Sequence, residues 1–196
     1  MDQGTEVSVG NSGIEARLQA ALARTVQGDS SAFALIVEEH QAMVFSIAYH
    51  FLQDRSKAED TAQEVFLDLY QKIAGIESPA HLKYWLRRVT VHRCIDQGRR
   101  QKYRRETALE EAPEPVSSTF IADPLLTSRL QDSVAALPER QRAVIILRYE
   151  EGLGPGEIAE VLNMPVNTVK SMLNRSLAQL RKKLTSKIGK VRYAFF

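Results

Sequence analysis

The stretch from Val166 to Lys183, VNTVKSMLNRSLAQLRKK, combines hydrogen-bonding and basic side chains with no carboxylate. Its Asn, Ser, Lys and Arg residues fill the gaps between apolar residues that recur at helical spacing. Helices whose charged face is merely solvated usually carry acids as well as bases. Arg and Asn can pair with base edges through two hydrogen bonds, and Lys and Arg neutralise phosphates, which Asp or Glu would repel. The chemistry that this stretch indicates is contact with a nucleic acid.

The residues just before this stretch predict how it is positioned. PGEIAEVL reads as a short helix buried through Ile158, Ala159 and Leu162, and NMP reads as a tight turn. A short helix, a three-residue turn and a longer helix form a helix-turn-helix, whose second helix enters the DNA major groove. Apolar residues share one face of that second helix: Val169, Leu173, Leu177, Leu180 and Leu184. The candidate contacts with DNA lie in its N-terminal half: Asn167, Thr168, Lys170, Ser171, Asn174 and Arg175. An ordinary amphipathic surface helix is the alternative interpretation.

Positive charge is concentrated in two separate parts of the chain, although the net charge is only +2. Residues 87–105 contain eight Lys and Arg against Asp96 alone, and the residues after 160 contain eight with no acid. Residues 1–86, in contrast, contain 12 acids and 6 bases. This layout predicts two separated contact surfaces for a polyanion. Beside the first surface, Tyr84 and Tyr103 are candidates for stacking on separated bases, while Trp85 lies at a spacing typical of the core.

Apolar residues recur every three or four positions through most of the chain, and no segment alternates with period two. The predicted fold class is therefore all-α, with two small helical bundles joined by a flexible linker and a helix-turn-helix in the second bundle. The first bundle covers residues 14–105, and Ser56 is a candidate N-cap within it. The predicted linker, residues 106–124, is acidic and has two internal prolines, and the second bundle covers 125–187. Residues 1–13 are predicted to be a disordered tail and 188–196 a C-terminal tail.

Several classes of function are not expected from the sequence. No apolar run approaches the ~18 residues needed to cross a membrane, and the N-terminus does not resemble a signal peptide, so we expect no membrane insertion and a cytoplasmic location. A lone Cys94 and four scattered His provide no clustered metal ligands, and we expect no cofactor. His40, Glu64 and Asp96 could in principle meet as acid and base, but no nucleophile elbow or phosphate-binding loop accompanies them, so an enzyme is not expected.

Three segments, in this order, resemble the small bacterial RNA polymerase sigma factors of the extracytoplasmic-function (ECF) group. They are AEDTAQEVFLDLYQKI, YWLRRVTVHRCIDQGRR and LPERQRAVIILRYEEGLGPGEIAEVLNMPVNTVKSMLNRSLAQLRKKL. The resemblance covers roughly residues 27–187. It implies a transcription initiation factor that binds bacterial core RNA polymerase and promoter DNA and that an anti-sigma factor regulates. Residues 14–105 would then be a region 2-like domain for polymerase binding, the downstream promoter element and melting, and 125–187 a region 4-like domain for the upstream element.

The same resemblance implies roles for individual residues. Asp60, Gln63 and Glu64 match the polymerase-binding helix of the family. The loop AGIESPA lies where the family holds a flipped base, which points to Ile76, Glu77 and Ser78. The downstream-element helix is matched by Arg88, His92, Arg99 and Arg100. The rival reading is a dimeric helix-turn-helix repressor that acts without polymerase, and the acidic first bundle and the separate basic stretch fit it poorly.

Overall fold

The computed structural model describes residues 6–108 and 124–192 of the chain, with side chains for 13–100 and 129–185. The described residues form helices and no β-strand, which confirms the predicted all-α class. A 3₁₀ turn spans Ile73–Gly75. The helices in chain order are α1 (Glu6–Val26), α2 (Ser30–Leu52), α3 (Arg55–Lys72), α4 (Pro79–Ala108), α5 (Pro124–Ala135), α6 (Glu139–Tyr149), α7 (Pro155–Leu162) and α8 (Val166–Arg192).

Helices α1 to α4 form the first bundle, with α2 packed against the other three. Its core takes Ile36 and Val44 from α2, Leu69 from α3, and Leu82 and Leu86 from α4, all of them fully buried. Burying one such side chain contributes about 1.5–3 kcal/mol relative to leaving it exposed. The periodicity of three and four residues therefore identified the buried faces of these helices correctly.

Aspartates cap the start of α2 and α3, and in α3 an aspartate takes the place of the predicted serine. The Asp29 carboxylate accepts hydrogen bonds from the backbone N–H groups of Ser31 (2.9 Å) and Ala32 (3.1 Å) at the start of α2. Asp54 accepts from the Lys57 N–H (3.1 Å) at the start of α3. Ser56 was wrongly predicted as the cap, because α3 begins at Arg55 and its N-cap is Asp54, so Ser56 lies inside the first turn.

Three helices extend past the boundaries predicted from the sequence. Helix α1 begins at Glu6, inside the segment predicted as a disordered tail, and α4 continues to Ala108, beyond the predicted end of the first bundle at 105. Helix α8 continues to Arg192, beyond 187. Once packing has fixed a helix, adding a residue at its end costs little, because nucleation is the unfavourable step. Most of the predicted linker, 109–123, and the terminal residues 1–5 and 193–196 lie outside the described residues.

Helices α5 to α8 form the second bundle. Helix α6 is its centre, since five consecutive residues, 143–147, are buried and α6 packs against α5, α7 and α8. A helix that is buried on all sides needs apolar residues on all sides, and the sequence AVIIL supplies them. Together with α7 and its turn, α6 holds the start of α8 in place.

The two bundles share one continuous core in the structure. Helix α4 packs against α6 and α7, and α2 packs against α5 and α6. Ile47, Phe51 and Val91 from the first bundle and Val144 and Ile158 from the second belong to one cluster of buried side chains. Among the described residues, no helix is long and apolar enough to cross a membrane.

Candidate nucleic-acid interface

The predicted helix-turn-helix is present, and its geometry follows from a few backbone contacts. At the start of α7 the Gly154 N–H donates to the Glu157 carboxylate at 2.7 Å. Helix α7 ends at Leu162, and the next residue, Asn163, has a left-handed φ of 50°, a conformation that Asn tolerates better than most residues. The Pro165 carbonyl then accepts from the Thr168 N–H at 2.9 Å, which begins α8. The turn between the two helices is therefore the predicted three residues long.

The buried face of α8 differs slightly from the predicted one. Val169 and Leu180 are buried, and Leu173 packs against the core. Leu177, which was predicted to be buried, is 37% exposed, and the buried neighbour in the same turn is Ser176, whose hydroxyl lies 3.4 Å from the Gln141 amide oxygen. The prediction for Leu177 was wrong because residues 176 and 177 flank the same apolar stripe, and hydrophobicity alone favours the leucine.

The predicted base-reading residues lie on the opposite side of α8. Asn167, Lys170, Ser171, Asn174 and Arg175 are exposed, and Thr168 is half-buried. The side chains of Lys170, Asn174 and Arg175 form no hydrogen bond or ion pair with any other described residue. Lys170 and Asn174 are four residues apart and Arg175 follows directly, which places the three side chains on one side of the first three turns of the helix. The structure therefore brings these six residues together as a polar, acid-free surface.

The predicted downstream-element residues lie along α4. Arg88, His92 and Arg99 follow one another on one stripe, with Arg100 beside it. His92 is exposed, and its Nδ1–H donates to the Arg88 carbonyl at 2.7 Å. Arg99 and Arg100 are also exposed, with Asp96 4.0 Å from the Arg99 guanidinium. An exposed pair at that distance contributes little, so the stripe remains a basic surface.

Tyr84 is not available for stacking in this structure. Its hydroxyl donates to the Glu160 carbonyl of α7 at 3.1 Å and accepts from the Arg88 guanidinium at 2.9 Å. Its ring packs against the shared core. Trp85 packs against the core of the first bundle, as its spacing predicted, and the side chain of Tyr103 lies outside the described residues.

The predicted polymerase-binding residues lie on the outer face of α3. Asp60, Gln63 and Glu64 are exposed, and Glu64 forms an ion pair with Arg93 of α4. Arg93 also pairs with Asp68 at 2.5 Å, so it joins α3 to α4.

An apolar component of this face was missed from the sequence. Leu67 is 63% exposed and Tyr70 is 50% exposed, and Leu67 lies one turn from both Gln63 and Glu64. The signal was present, since Leu67 lies off the face of α3 that buries Val65, Phe66 and Leu69. The outer face of α3 therefore carries exposed apolar side chains beside its acids.

The loop predicted to hold a flipped base offers fewer contacts than expected. Ile76 is only 8% exposed and belongs to the core of the first bundle, so it is not accessible to a base. The Ser78 hydroxyl accepts from the His81 N–H at 3.1 Å and thereby caps α4. Glu77 is the one member of the predicted set that is exposed.

The three residues considered for acid–base chemistry are not brought together. His40 is buried with its Nδ1 3.0 Å from the Ile36 carbonyl, Glu64 pairs with Arg93, and Asp96 lies beside Arg99. Within the described ranges, no three His, Cys, Asp or Glu side chains form a group that could hold a metal ion.

Two family matches cover the two bundles: Sigma-70 region 2 matches residues 36–104, and Sigma-70, region 4 matches residues 127–180. The chain is 30% identical over 184 residues to the ECF RNA polymerase sigma factor SigW of Bacillus subtilis, covering 87% of this chain and 98% of the relative. It is 30% identical over 180 residues to the ECF RNA polymerase sigma-E factor of Haemophilus influenzae, covering 85% and 94%.

Two solved structures have a similar fold. CnrH in complex with the cytosolic domain of CnrY superimposes with a TM-score of 0.64 at 22% identity, covering 87% of this chain and 98% of that one. The sigma factor RpoE in complex with the anti-sigma factor NepR from Bartonella quintana gives 0.62 at 20% identity, covering 78% and 96%. The chain belongs to the ECF group of RNA polymerase sigma factors. As a member of that group, it binds core RNA polymerase and directs it to promoters, and the alternative of a polymerase-independent repressor is not favoured.

Proposed function

We propose that the two bundles divide promoter recognition between them. In this proposal α8 reads the upstream element as duplex DNA through Asn167, Thr168, Lys170, Ser171, Asn174 and Arg175. The observation that carries it is the exposed, acid-free surface at the start of α8, directly after a helix-turn-helix turn. Arg175 and Asn174 suit two-point contacts with guanine and adenine, each worth about 1–3 kcal/mol of discrimination.

The basic stripe on α4 is the proposed contact with the downstream element. Arg88, His92, Arg99 and Arg100 would hold the phosphates and the strand as the promoter opens, with Glu77 as the accessible member of the loop that precedes α4. Taking a base out of the stack costs a few kcal/mol, and binding to such a surface would offset that cost. Residues 14–105 would be the domain that performs these steps, and 125–187 the domain for the upstream element.

The outer face of α3 is the proposed docking surface for core polymerase. Acids at Asp60 and Glu64 would steer the protein to a basic partner surface, and Leu67 would add apolar contact area. Glu64 already pairs with Arg93, so a basic partner would share its carboxylate with Arg93.

Partners and location follow from the same proposal. The protein would act in the cytoplasm, where bacterial polymerase meets the chromosome, and would itself catalyse no reaction. An anti-sigma factor is a proposed regulator, because a sigma factor of similar fold is described in complex with one.

The test is transcription in vitro with core polymerase, on promoters first identified by mapping the transcript starts that this protein directs on genomic DNA. Changing Lys170, Asn174 and Arg175 together to Ala should reduce transcription at least tenfold, because it removes two charges and two base-reading groups. The matched control is Arg181→Ala with Lys182→Ala, which removes two exposed charges from the later turns of the same helix. Equal losses in the two variants would contradict the assignment of base reading to the start of α8.

A further inference from the structure

We propose that helix α4 selects, at the downstream element, bases that carry an exocyclic amino group, and that hydrogen-bond acceptors on His92 and Asp96 make this selection. Adenine and cytosine present such a group in the major groove, whereas guanine and thymine present a carbonyl oxygen there. The inference rests on the proposed contact of α4 with the downstream element, and it adds the class of base that this contact favours.

The acceptor on His92 follows from the hydrogen bond that its ring makes within α4. His92 Nδ1 lies 2.7 Å from the Arg88 carbonyl. A carbonyl oxygen can only accept, so the proton of this bond lies on Nδ1. In a neutral imidazole the other nitrogen, Nε2, then carries a lone pair and accepts. The residue is exposed, and Nε2 has no hydrogen-bond partner among the described residues. The bond to Arg88 therefore leaves an acceptor on the surface of α4.

Asp96 places a second acceptor one turn further along α4. Its side chain is 64% exposed, and the Arg99 guanidinium is 4.0 Å away, which is too far for a hydrogen bond. An ionised carboxylate can only accept hydrogen bonds. Next to a phosphate it would repel the DNA, so a donor on a base is the contact that suits it. Residues four apart lie on the same side of a helix, so His92 and Asp96 form one acceptor pair.

Arginines flank this acceptor pair along the basic stripe. Arg88 lies one turn before it, and Arg99 and Arg100 follow it. A guanidinium can only donate, so these residues suit phosphates and the acceptor atoms of bases. The donors that duplex DNA offers in the major groove are the amino groups of adenine and cytosine. The stripe thus combines flanking donors, which hold the backbone, with central acceptors, which distinguish bases.

The spacing of the two acceptors fits neighbouring base pairs. Four residues of an α-helix rise about 6 Å, and base pairs follow one another every ~3.4 Å. A helix lying along the major groove can therefore present His92 and Asp96 to base pairs roughly one or two steps apart. Because every base pair joins one amino-bearing base to one carbonyl-bearing base, the selection concerns only the strand that faces the acceptors. We expect adenine or cytosine to be favoured next to His92 and cytosine next to Asp96, each by at least about fivefold.

The experiment is transcription in vitro with core polymerase and the full chain, from a library of one promoter whose downstream element is randomised. Each template carries a barcode in its transcribed part, so sequencing of the transcripts gives the base preference at every randomised position. The reactions are run at pH 8, above the range in which histidine ordinarily takes up a proton. For the wild type we expect one position that favours adenine or cytosine on one strand and, within two base pairs of it, a second that favours cytosine.

Substitutions assign these preferences to the two side chains. His92→Ala should lose the first preference alone, and Asp96→Ala should lose the second alone. His92→Lys replaces an acceptor with a donor, so it should move the first preference to guanine. A change in the structure of α4 would weaken base preference without reversing it. Lys83→Ala is the control, because it changes an exposed residue of α4 outside the stripe and should leave both preferences unchanged.

The inference would be overturned by an unchanged base preference in either alanine variant, or by no shift toward guanine in His92→Lys. It would also be overturned if the position that responds to His92→Ala favours guanine or thymine, since Nε2 would then be a donor. Arg99→Ala with Arg100→Ala tests the proposed function separately. Reduced transcription in that double variant, beside unchanged preferences in the alanine variants, would uphold the contact of α4 and refute the selection of amino groups. Wild-type transcription that does not depend on the randomised positions would instead count against the contact itself.

Discussion

Arg142 provides a sharp test of how the shared core is held together. Its guanidinium donates to the carbonyls of Phe51 (2.9 Å) and Leu137 (3.2 Å) and also to Ala135, and it lies 4.9 Å from the centre of the Phe51 ring. Phe51 and Ala135 are at the C-terminal ends of α2 and α5, where unpaired carbonyls carry partial negative charge. One cation thus satisfies two helix ends from different bundles.

The expected cost of replacing Arg142 with Met follows from these contacts. Three hydrogen bonds from a charged donor are worth about 1.5–3 kcal/mol each, and the loss is offset by several kcal/mol because a guanidinium no longer has to be buried. We expect the free energy of unfolding to fall by about 3 kcal/mol, and the melting temperature by roughly 6–12 °C for a chain of this size. The free energy of unfolding of Arg142→Lys should lie between those of the wild type and Arg142→Met, because an ammonium cannot reach both helix ends at once.

Urea denaturation followed by circular dichroism measures this difference directly. The control is Arg140→Met, two residues away on the exposed side of α6, which should change stability by less than about 0.5 kcal/mol. An Arg142→Met variant as stable as Arg140→Met would refute the reasoning, since it would mean that the buried guanidinium contributes no more than a solvated one.

Two further predictions concern His40 and the start of α3. Burial lowers the pKa of His40 below its usual 6.5, with Lys83 and Arg87 adding to the effect. As the pH falls below about 6.5, the unfolded chain binds the proton of His40 more readily than the folded chain, so the folded protein loses stability. His40→Leu removes this effect, so its free energy of unfolding should vary less between about pH 5 and 7. An unchanged slope would contradict this account. Asp54→Ala should destabilise the protein by about 1 kcal/mol and Ser56→Ala by much less, with thermal melts at neutral pH as the measurement; the reverse order would contradict the assignment of the cap.

The helices and the helix-turn-helix could be predicted from the sequence because their signals are local. A stripe such as Ile36, Val44 and Ile47 repeats within one helix, and the turn at Asn163 to Pro165 separates two apolar patterns. The polar surface of α8 was found for the same reason, since residue type and spacing in one helix decide which side chains face outward. The family resemblance then supplied what these patterns do not contain, namely the polymerase and the promoter.

The contact between the bundles could not be predicted, because no local pattern encodes it. Val91 and Cys94 look like ordinary core residues of the first bundle, and Tyr84 like an aromatic beside a basic stretch. Their partners, including Glu160 for Tyr84 and Glu151 for Arg87, lie more than 60 positions away in the chain. The exposure of Leu67 was missed for a related reason, since apolar periodicity says which residues can be buried but not which leucine is left for a partner.

Helix α4 carries an exposed basic stripe and a separate stripe that packs against the second bundle, and no residue belongs to both. His92 and Arg99 lie on one, and Val91, Cys94 and Gly98 lie on the other. A designer could therefore exchange His92 and Arg99 for the residues of another sigma factor and retune promoter choice, while the packing against α6 and α7 stays intact. Deleting a single residue before Val91 would have the opposite effect, because it would turn everything after it by about 100° and direct the basic stripe toward the second bundle.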